Sequence, residues 1–261
     1  MGLTDAVCGL NMGQTAELLA KEHGISREEQ DAFALRSHQR VVLAREKLAE
    51  EIVPVPIPPK YEALCVRDNG VRENQTLEAL AKLRPFFDRK FGTVTAGNSS
   101  QITDGGAATL VMSASAAKAR GYKPLGKIRG FAFCALEPER MGLGPAVATP
   151  LALKRAGLTW QDIGLAEINE AFAAQVLACA RVFPSAAWHA KHDTGGPIGE
   201  IDWDKTNVNG GAIALGHPVG SSANRLVTTL LKEMRRRGTQ FGLATMCIGG
   251  GQGGAVVLES L

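Results

Sequence analysis

Hydrophobic positions over the first fifty residues recur at helical spacing. Thr15 is placed to cap a short helix that ends at Gly24. Ser26 and Glu29 then form an S-x-x-E capping box, and the helix after it is predicted to run unbroken to about Glu50. The start of the chain is therefore predicted to be mostly helical.

Prolines and charges interrupt this pattern over the next forty residues. Residues 52–59 alternate prolines with apolar side chains, which allows an edge strand at best. Residues 60–92 are charged and irregular, apart from a short helical pattern at 77–83. This part of the chain is predicted to be an insertion that covers a core without belonging to it.

From Thr93 onwards, apolar runs of strand length alternate with helical segments. Such alternation predicts a layered α/β domain, in which functional sites gather at strand-to-helix turns. The predicted strands are 107–112, 125–134, 165–168, 241–247 and 254–259, and the predicted helices are 113–120, 147–156, 171–182 and one that ends at 237.

Composition narrows the class of protein. The 261 residues are 45% hydrophobic and 21% charged, which is ordinary for a soluble globular protein. A net charge of +3 with only 5% aromatic residues does not indicate nucleic-acid binding. No apolar run is long enough to span a bilayer, and residues 1–25 lack a secretory apolar region. We therefore expect a cytoplasmic protein, with an organellar matrix as the alternative.

Cysteine and histidine spacing argues against disulfides and metal. The cysteines are odd in number, widely spaced and without a CxxC pair, so a reducing compartment is expected. His189 and His192 lie in a polar loop without a third ligand at typical spacing, and we expect them to face solvent. The five cysteines are Cys8, Cys65, Cys134, Cys179 and Cys247.

The strongest chemical candidate is His217, between Gly216 and Pro218 in a glycine-rich loop that runs into a helix. A histidine held this way can donate to a carbonyl oxygen or act as a base. The structural alternative is a histidine that caps the turn.

Two further side chains stand at the ends of predicted strands. Cys247 precedes the glycines 249–251, whose N–H groups can face a developing oxyanion. It can be a nucleophile, an acid/base thiol or a small buried hydrophobe. Asn169 can hold a water or a carbonyl oxygen, or can cap the next helix. With His217, these residues suggest a pocket that handles a carbonyl group.

These three residues lie in, or are accompanied by, four distinctive segments: TAGNSSQITDG at 95–105, NEAFA at 169–173, NGGAIALGHPVG at 209–220 and CIGGGQG at 247–253. In this order they resemble the motifs of the thiolase family, and the resemblance runs from about Gly2 to Leu261. It implies cleavage of 3-ketoacyl-CoA with CoA, or the reverse Claisen condensation of two acyl-CoA molecules. It implies no metal and no cofactor, since CoA is a substrate.

The resemblance also implies a role for each site residue. His217 would activate a nucleophilic cysteine and donate to a thioester oxygen, and Asn169 would position a water in the same oxyanion hole. Cys247 would move the proton of the acetyl α-carbon, and the N–H of Gly249 would help to form a second oxyanion hole. The remaining implied contacts are Ser100 with the pantetheine arm, Met12 and Phe172 with the acyl chain, and Arg72 with the CoA phosphates.

The thiolase-like architecture implies three parts: a mostly helical insertion in 1–94, a return segment of a first core domain in 95–122, and a complete layered α-β-α core in 123–261. The family's acyl-accepting cysteine precedes the part that this chain resembles. Cys8, in CGLNMG, resembles a loop before the insertion instead. We therefore expect the latter portion of a thiolase, without ketoacyl thiolysis of its own.

Partners and subtype are open at this point. A homodimer, a tetramer or association with a chain that carries the missing part is expected. The segments at 35–38 and 68–74 resemble β-oxidation thiolases, whereas Asn169 is typical of the biosynthetic type. The competing hypotheses are a non-catalytic module that binds acyl chains, CoA or a subunit, and a remnant with an exposed apolar face.

Overall fold

The computed structural model describes residues 3–261. Its strands are β1 (Val55–Pro56), β2 (Leu64–Cys65), β3 (Gly126–Ala135), β4 (Leu165–Ile168), β5 (Phe241–Ile248) and β6 (Gln252–Ser260). Its helices are α1 (Met12–Glu22), α2 (Arg27–Leu43), α3 (Arg45–Ala49), α4 (Leu77–Ala81), α5 (Ala114–Ala119), α6 (Gly144–Ala156), α7 (Ala173–Val182), α8 (Ala186–Lys191), α9 (Ala212–Leu215) and α10 (Ser222–Arg237).

A four-stranded mixed sheet with the order β3–β6–β5–β4 forms the larger sheet. β4 and β5 run parallel, and β6 is antiparallel to both β5 and β3. Because β4 and β5 are parallel, their carboxyl ends deliver Asn169 and Cys247 to the same edge of the sheet.

Helices cover both faces of this sheet, because side chains alternate between the faces along a strand and consecutive residues of β5 and β6 are buried. Leu243 and Val257 pack with α6, while the neighbouring Ala244 and Leu258 pack with α10. Gly253 allows the closest approach of α6, because a Cβ there would overlap the backbone of Gly144. The α/β layering predicted from the sequence is confirmed.

The helical start of the chain packs onto this core instead of forming a separate body. Leu19 of α1 and Phe33 of α2 share one apolar cluster with Ala174 of α7 and with Phe183. The region after α3 is different, since the side chains of residues 53–69 are exposed.

Two predicted helix boundaries in this region were wrong. α1 begins after Asn11, whose side chain and that of Gln14 form a reciprocal capping box, and Thr15 lies buried inside the helix. Asparagine is an equally good cap, so the sequence pattern did not separate the two positions. The Ser26 box is confirmed, but its helix breaks at Ala44 into α2 and α3.

The predicted strand at 107–112 was also wrong. This segment has no ladder partner among residues 3–261, and Leu110 and Val111 are 71% and 72% exposed. It is tied instead to α10 through Asn224, whose Nδ2 donates to the Ala107 carbonyl at 3.1 Å. An apolar run has the composition of a strand but does not specify a neighbour with a free edge.

His189 was wrongly expected to face solvent. It is fully buried, and its ring nitrogens contact Thr194 Oγ1 and, at 3.1 Å, the Phe183 carbonyl. His192 is half-buried and stacks on Trp188 with ring centroids 4.2 Å apart. Neither histidine belongs to a cluster of metal-ligating side chains in the described part of the chain.

The remaining strands and helices predicted from Gly126 onwards are confirmed within a few residues, and α10 ends at Gly238 in a left-handed conformation. Among residues 3–261, the helices are all too short or too polar to cross a membrane.

Candidate active site

The four segments that resemble thiolase motifs meet at the carboxyl ends of β4 and β5. The Ser100 N–H donates to the Ala171 carbonyl at 2.9 Å, and the Ala173 N–H donates to the Asn98 carbonyl at 2.9 Å. These bonds join 95–105 to 169–173.

The same 95–105 segment lies against the histidine loop. A Cβ built on Gly216 would lie 2.5 Å from Thr103, and one on Gly105 would lie 2.6 Å from Pro218. Because Gly216 also has a positive φ of 95°, glycine satisfies both the backbone conformation and the close approach.

Asn169 and His217 are in direct contact: Nδ2 of the amide lies 3.3 Å from Nε2 of the imidazole. The Asn169 N–H continues the sheet by donating to the Thr245 carbonyl at 3.0 Å. α7 begins at Ala173 with Phe172 at its N-cap, so Asn169 does not cap this helix. Its side chain is fully buried, and its Oδ1 has no hydrogen-bond partner within residues 3–261.

His217 is held by side chains on both ring nitrogens. Its Nδ1 lies 2.6 Å from Oγ of Ser222, the first residue of α10. Burial, followed by the nearby Arg225 guanidinium, lowers the pKa of His217 to about 4. The imidazole is therefore neutral at pH 7, the form that a general base requires. These side-chain contacts do not support the turn-cap alternative.

Cys247 is buried in an apolar cluster with Met141, Ala171, Met12 and Phe172. Burial raises the pKa of its thiol to about 12. Such a thiol stays protonated at neutral pH, which suits a proton donor better than a resting thiolate nucleophile. The acid/base alternative for Cys247 is therefore favoured over the nucleophile alternative.

Comparison with known proteins decides the family. A family model described as "Thiolase, N-terminal domain" matches residues 1–115, and one described as "Thiolase, C-terminal domain" matches residues 122–260. The chain belongs to the thiolase family.

Full-length relatives agree with this assignment. The chain is 51% identical to the 3-ketoacyl-CoA thiolase of Shewanella halifaxensis (strain HAW-EB4) over 258 residues, which cover 96% of this chain and 58% of that protein. The chain thus spans 58% of the length of this curated thiolase.

Solved thiolases share the fold. The structure of human mitochondrial 3-ketoacyl-CoA thiolase in complex with CoA matches with a TM-score of 0.83 and 40% identity, covering all (100%) of this chain and 61% of that one. The acetyl-CoA acetyltransferase from Syntrophomonas wolfei matches with a TM-score of 0.87 and 39% identity, covering 99% of this chain and 63% of that one. The expected thiolase-like α/β fold is confirmed.

The other predicted thiolase site residues fall into two groups. Met12 and Phe172 contact the Cys247 cluster, and a Cβ on Gly249 would lie 3.9 Å from Met12 Sδ, so these residues lie together. Ser100 is half-buried beside Ala171. Their catalytic and binding roles stay predictions, as does one hollow shared by His217, Asn169 and Cys247.

Arg72 stands apart from the Cys247 cluster. It is exposed, and its backbone N–H donates to Nδ1 of the buried His38 at 3.1 Å. Gln101 Nε2 donates to the Gly70 carbonyl at 2.8 Å and to the Ile213 carbonyl at 3.4 Å. Gln101 therefore links the loop that contains Gly70 and Arg72 to the 209–220 segment. Contact of Arg72 with CoA phosphates stays a prediction.

Sequence reasoning missed Glu170, the second residue of NEAFA. Its carboxylate is 1% exposed and accepts from Ser37 Oγ at 2.6 Å, Asn207 Nδ2 at 2.9 Å and the Ile213 N–H at 3.3 Å. It thereby connects α2 with residues 207–213 at the carboxyl end of β4. A charged residue directly after Asn169 was the available signal, but its donors come from distant parts of the chain.

Asp5 was also missed. Its Oδ2 accepts from the Gly250 N–H at 2.8 Å, and its Oδ1 accepts from the N–H groups of Val7 and Cys8 at 2.8 and 3.2 Å. The carboxylate therefore holds the glycine loop after Cys247. No sequence pattern links positions 245 residues apart.

The His217 imidazole is expected to titrate near pH 4 in an NMR titration of its C–H signals, assigned by their loss in His217→Gln. Its folded pKa lies below its ordinary value of 6.5, so its contribution to stability is complete above pH 6.5 and is lost as pH falls from 6.5 to about 4. The stability advantage of the wild type over His217→Gln should shrink over that interval. A midpoint near 6.5, with a constant advantage, would contradict the burial argument.

Proposed function

We propose that the chain carries the acid/base and oxyanion groups of a thiolase that cleaves 3-ketoacyl-CoA with CoA to acetyl-CoA and a shortened acyl-CoA, or runs the reverse Claisen condensation. The contact between Asn169 Nδ2 and His217 Nε2 carries this proposal, because it gathers a donor and a neutral base beside the end of β5. The names of the relatives, and the CoA bound by one solved thiolase, support acyl-CoA and CoA as substrates.

The chemistry follows from the protonation states. Cleavage of a 3-ketoacyl-CoA releases the acetyl-CoA unit as a carbanion whose charge resides on the thioester oxygen. The Asn169 amide positions a water that donates to this oxygen, and the His217 Nε2–H donates to it once Nε2 has taken a proton from the acyl-accepting thiol. Cys247, protonated because it is buried, gives its proton to the α-carbon. Condensation runs this step in reverse: the Cys247 thiol first gives its proton to solvent or to the leaving CoA sulfur, and the resulting thiolate removes the α-proton.

Thiolysis requires a second thiol that carries the acyl group. Within residues 3–261, the hydrogen-bond partners of the His217 ring are Asn169 and Ser222, and no cysteine thiol is among them. We propose that residues 1–261 alone perform proton transfer at the acetyl α-carbon but not thiolysis. A homodimer or tetramer, or association with a chain that supplies the acyl-accepting cysteine, and a cytoplasmic location stay predictions.

One experiment separates the catalytic hypothesis from the alternative of a non-catalytic acyl-CoA or subunit-binding module. The purified chain is incubated with acetyl-CoA in deuterated buffer, and deuterium in the acetyl group is followed by NMR. We expect exchange of the acetyl protons above the rate in buffer alone. In a separate assay with acetoacetyl-CoA and CoA, we expect no consumption of acetoacetyl-CoA. Calorimetric binding of acetyl-CoA without exchange would support the binding module. Thiolysis that is abolished by Cys8→Ser would contradict the proposal that residues 1–261 do not supply the acyl-accepting thiol.

A further inference from the structure

The His217 ring lies in a row of polar groups that begins in NEAFA and ends inside the first turn of α10. Asn169 Nδ2 lies 3.3 Å from Nε2, and Ser222 Oγ lies 2.6 Å from Nδ1. Ser222 Oγ in turn lies 3.1 Å from the Pro218 carbonyl oxygen. Ser222 is fully buried, so no solvent competes for its hydroxyl group.

The hydroxyl hydrogen of Ser222 can serve only one of its two neighbours. The Pro218 carbonyl carries no hydrogen, so the 3.1 Å contact is a hydrogen bond only if the hydroxyl group donates. The oxygen then presents a lone pair to Nδ1 at 2.6 Å. A second lone pair on Nδ1 would be repelled at this distance, whereas an Nδ1–H bond makes the contact attractive.

The other end of the row agrees with this direction. A neutral imidazole with its hydrogen on Nδ1 has an acceptor at Nε2, and the Asn169 amide donates to it. With this tautomer, each of the three contacts in the row pairs one hydrogen-bond donor with one acceptor. The opposite tautomer requires the Ser222 hydroxyl to turn away from Pro218 and the Asn169 amide to rotate by half a turn.

We propose that Ser222 is a positioning residue that holds His217 in the Nδ1–H tautomer, so that Nε2 is unprotonated and accepts a hydrogen bond from Asn169. The hydrogen-bond assignment stands on the contacts of residues 169–222 alone, and only its catalytic meaning rests on the proposed thiolase function. In that function, Nε2 is the atom that takes the proton of the acyl-accepting thiol.

The neighbouring Ser221 offers a matched control. Its Oγ also donates to the Pro218 carbonyl at 3.1 Å, but it makes no hydrogen bond to the His217 ring. Ser221 occupies the N-cap position of α10 without a side-chain capping bond. Replacing either serine by alanine therefore removes a similar bond to Pro218, and only Ser222→Ala removes the partner of Nδ1.

The test uses the complete chain labelled with ¹⁵N and long-range ¹H–¹⁵N correlation spectra of the histidine rings at pH 7.5. The His217 signals are assigned by their loss in His217→Gln. In the wild type, Nδ1 is expected at the shift of a protonated ring nitrogen and Nε2 at that of an unprotonated one. In Ser222→Ala, the population is expected to move towards the Nε2–H form that free histidine prefers, while Ser221→Ala matches the wild type.

The wild-type spectrum decides the matter even if Ser222→Ala fails to fold, because a wild-type Nε2–H tautomer would overturn the proposal. An unchanged tautomer in folded Ser222→Ala, or an equal shift in Ser221→Ala, would overturn it as well. The readout does not depend on turnover, so an absence of α-proton exchange would contradict the thiolase function and leave the tautomer result readable.

Discussion

Replacing Cys247 by alanine is expected to lower the rate of acetyl-CoA α-proton exchange by about 10²–10⁴-fold while the fold is retained. The thiol is the proposed acid/base group, and alanine has no proton to give. Because its neighbours Met12, Met141, Ala171 and Phe172 are apolar, the substitution leaves no buried polar partner unpaired. Exchange is measured by NMR, and thermal unfolding checks the fold.

Cys179→Ala is the matched control for this loss. Cys179 is also fully buried, and burial raises the pKa of its thiol too, but it lies on α7, where its Sγ donates to the Gly142 carbonyl at 3.3 Å. Its removal creates a comparable small cavity, but Cys179 belongs to a different apolar cluster from Cys247. Its exchange rate should stay within about twofold of the wild type, because it supplies no proton to the site. Equal losses in both variants would show that core packing, not the Cys247 proton, controls exchange.

Replacing Glu170 by alanine is expected to lower the free energy of unfolding by about 3–5 kcal/mol. The carboxylate accepts hydrogen bonds from Ser37, Asn207 and the Ile213 N–H, and its removal leaves these buried donors without an acceptor. Each orphaned buried donor costs about 1–3 kcal/mol, and the costs are not additive. Urea unfolding of the wild type and the variant measures the difference.

Glu73→Ala and Glu170→Gln bracket this prediction. Glu73 pairs with Arg45 at an exposed surface, so its loss should cost less than about 1 kcal/mol. Glu170→Gln keeps the shape of the side chain and one acceptor oxygen. Its decrease in the free energy of unfolding should therefore lie between the decreases of the two alanine variants. If Glu170→Ala lowers the free energy of unfolding no more than Glu73→Ala does, the hydrogen bonds of the Glu170 carboxylate do not stabilise the fold as their distances indicate.

Local patterns were sufficient for the chemistry-bearing strands. The run from Leu165 to Ile168 and the two runs that became β5 and β6 are apolar segments bounded by turns, and all three are strands. They succeeded because each finds its partner within the same sheet. The run at 107–112 has the same apolar character, but it has no ladder partner in residues 3–261, and there the prediction failed.

Site prediction divided in a similar way. Asn169, His217 and Cys247 were identified because each is a reactive or amide side chain placed beside glycines or at a strand end. Glu170 and Asp5 were not, because Ser37 and Gly250 lie in distant segments of the chain. Ser222 was missed although His217 is only five residues away, because its contact depends on how the loop folds back onto α10. The helix-cap alternative for Asn169 was removed only when α7 was seen to begin at Ala173.

By itself, the sequence determined the family, the α/β class and the identity of the candidate acid/base residues, because the relevant motifs are local and their order is visible along the chain. The tertiary structure decided the protonation states. Burial raises the pKa of Cys247 and lowers that of His217, and Ser222 and Asn169 take up the two ring nitrogens of the histidine. Solvent exclusion and hydrogen-bond direction depend on which distant segments meet, and no local pattern encodes that meeting.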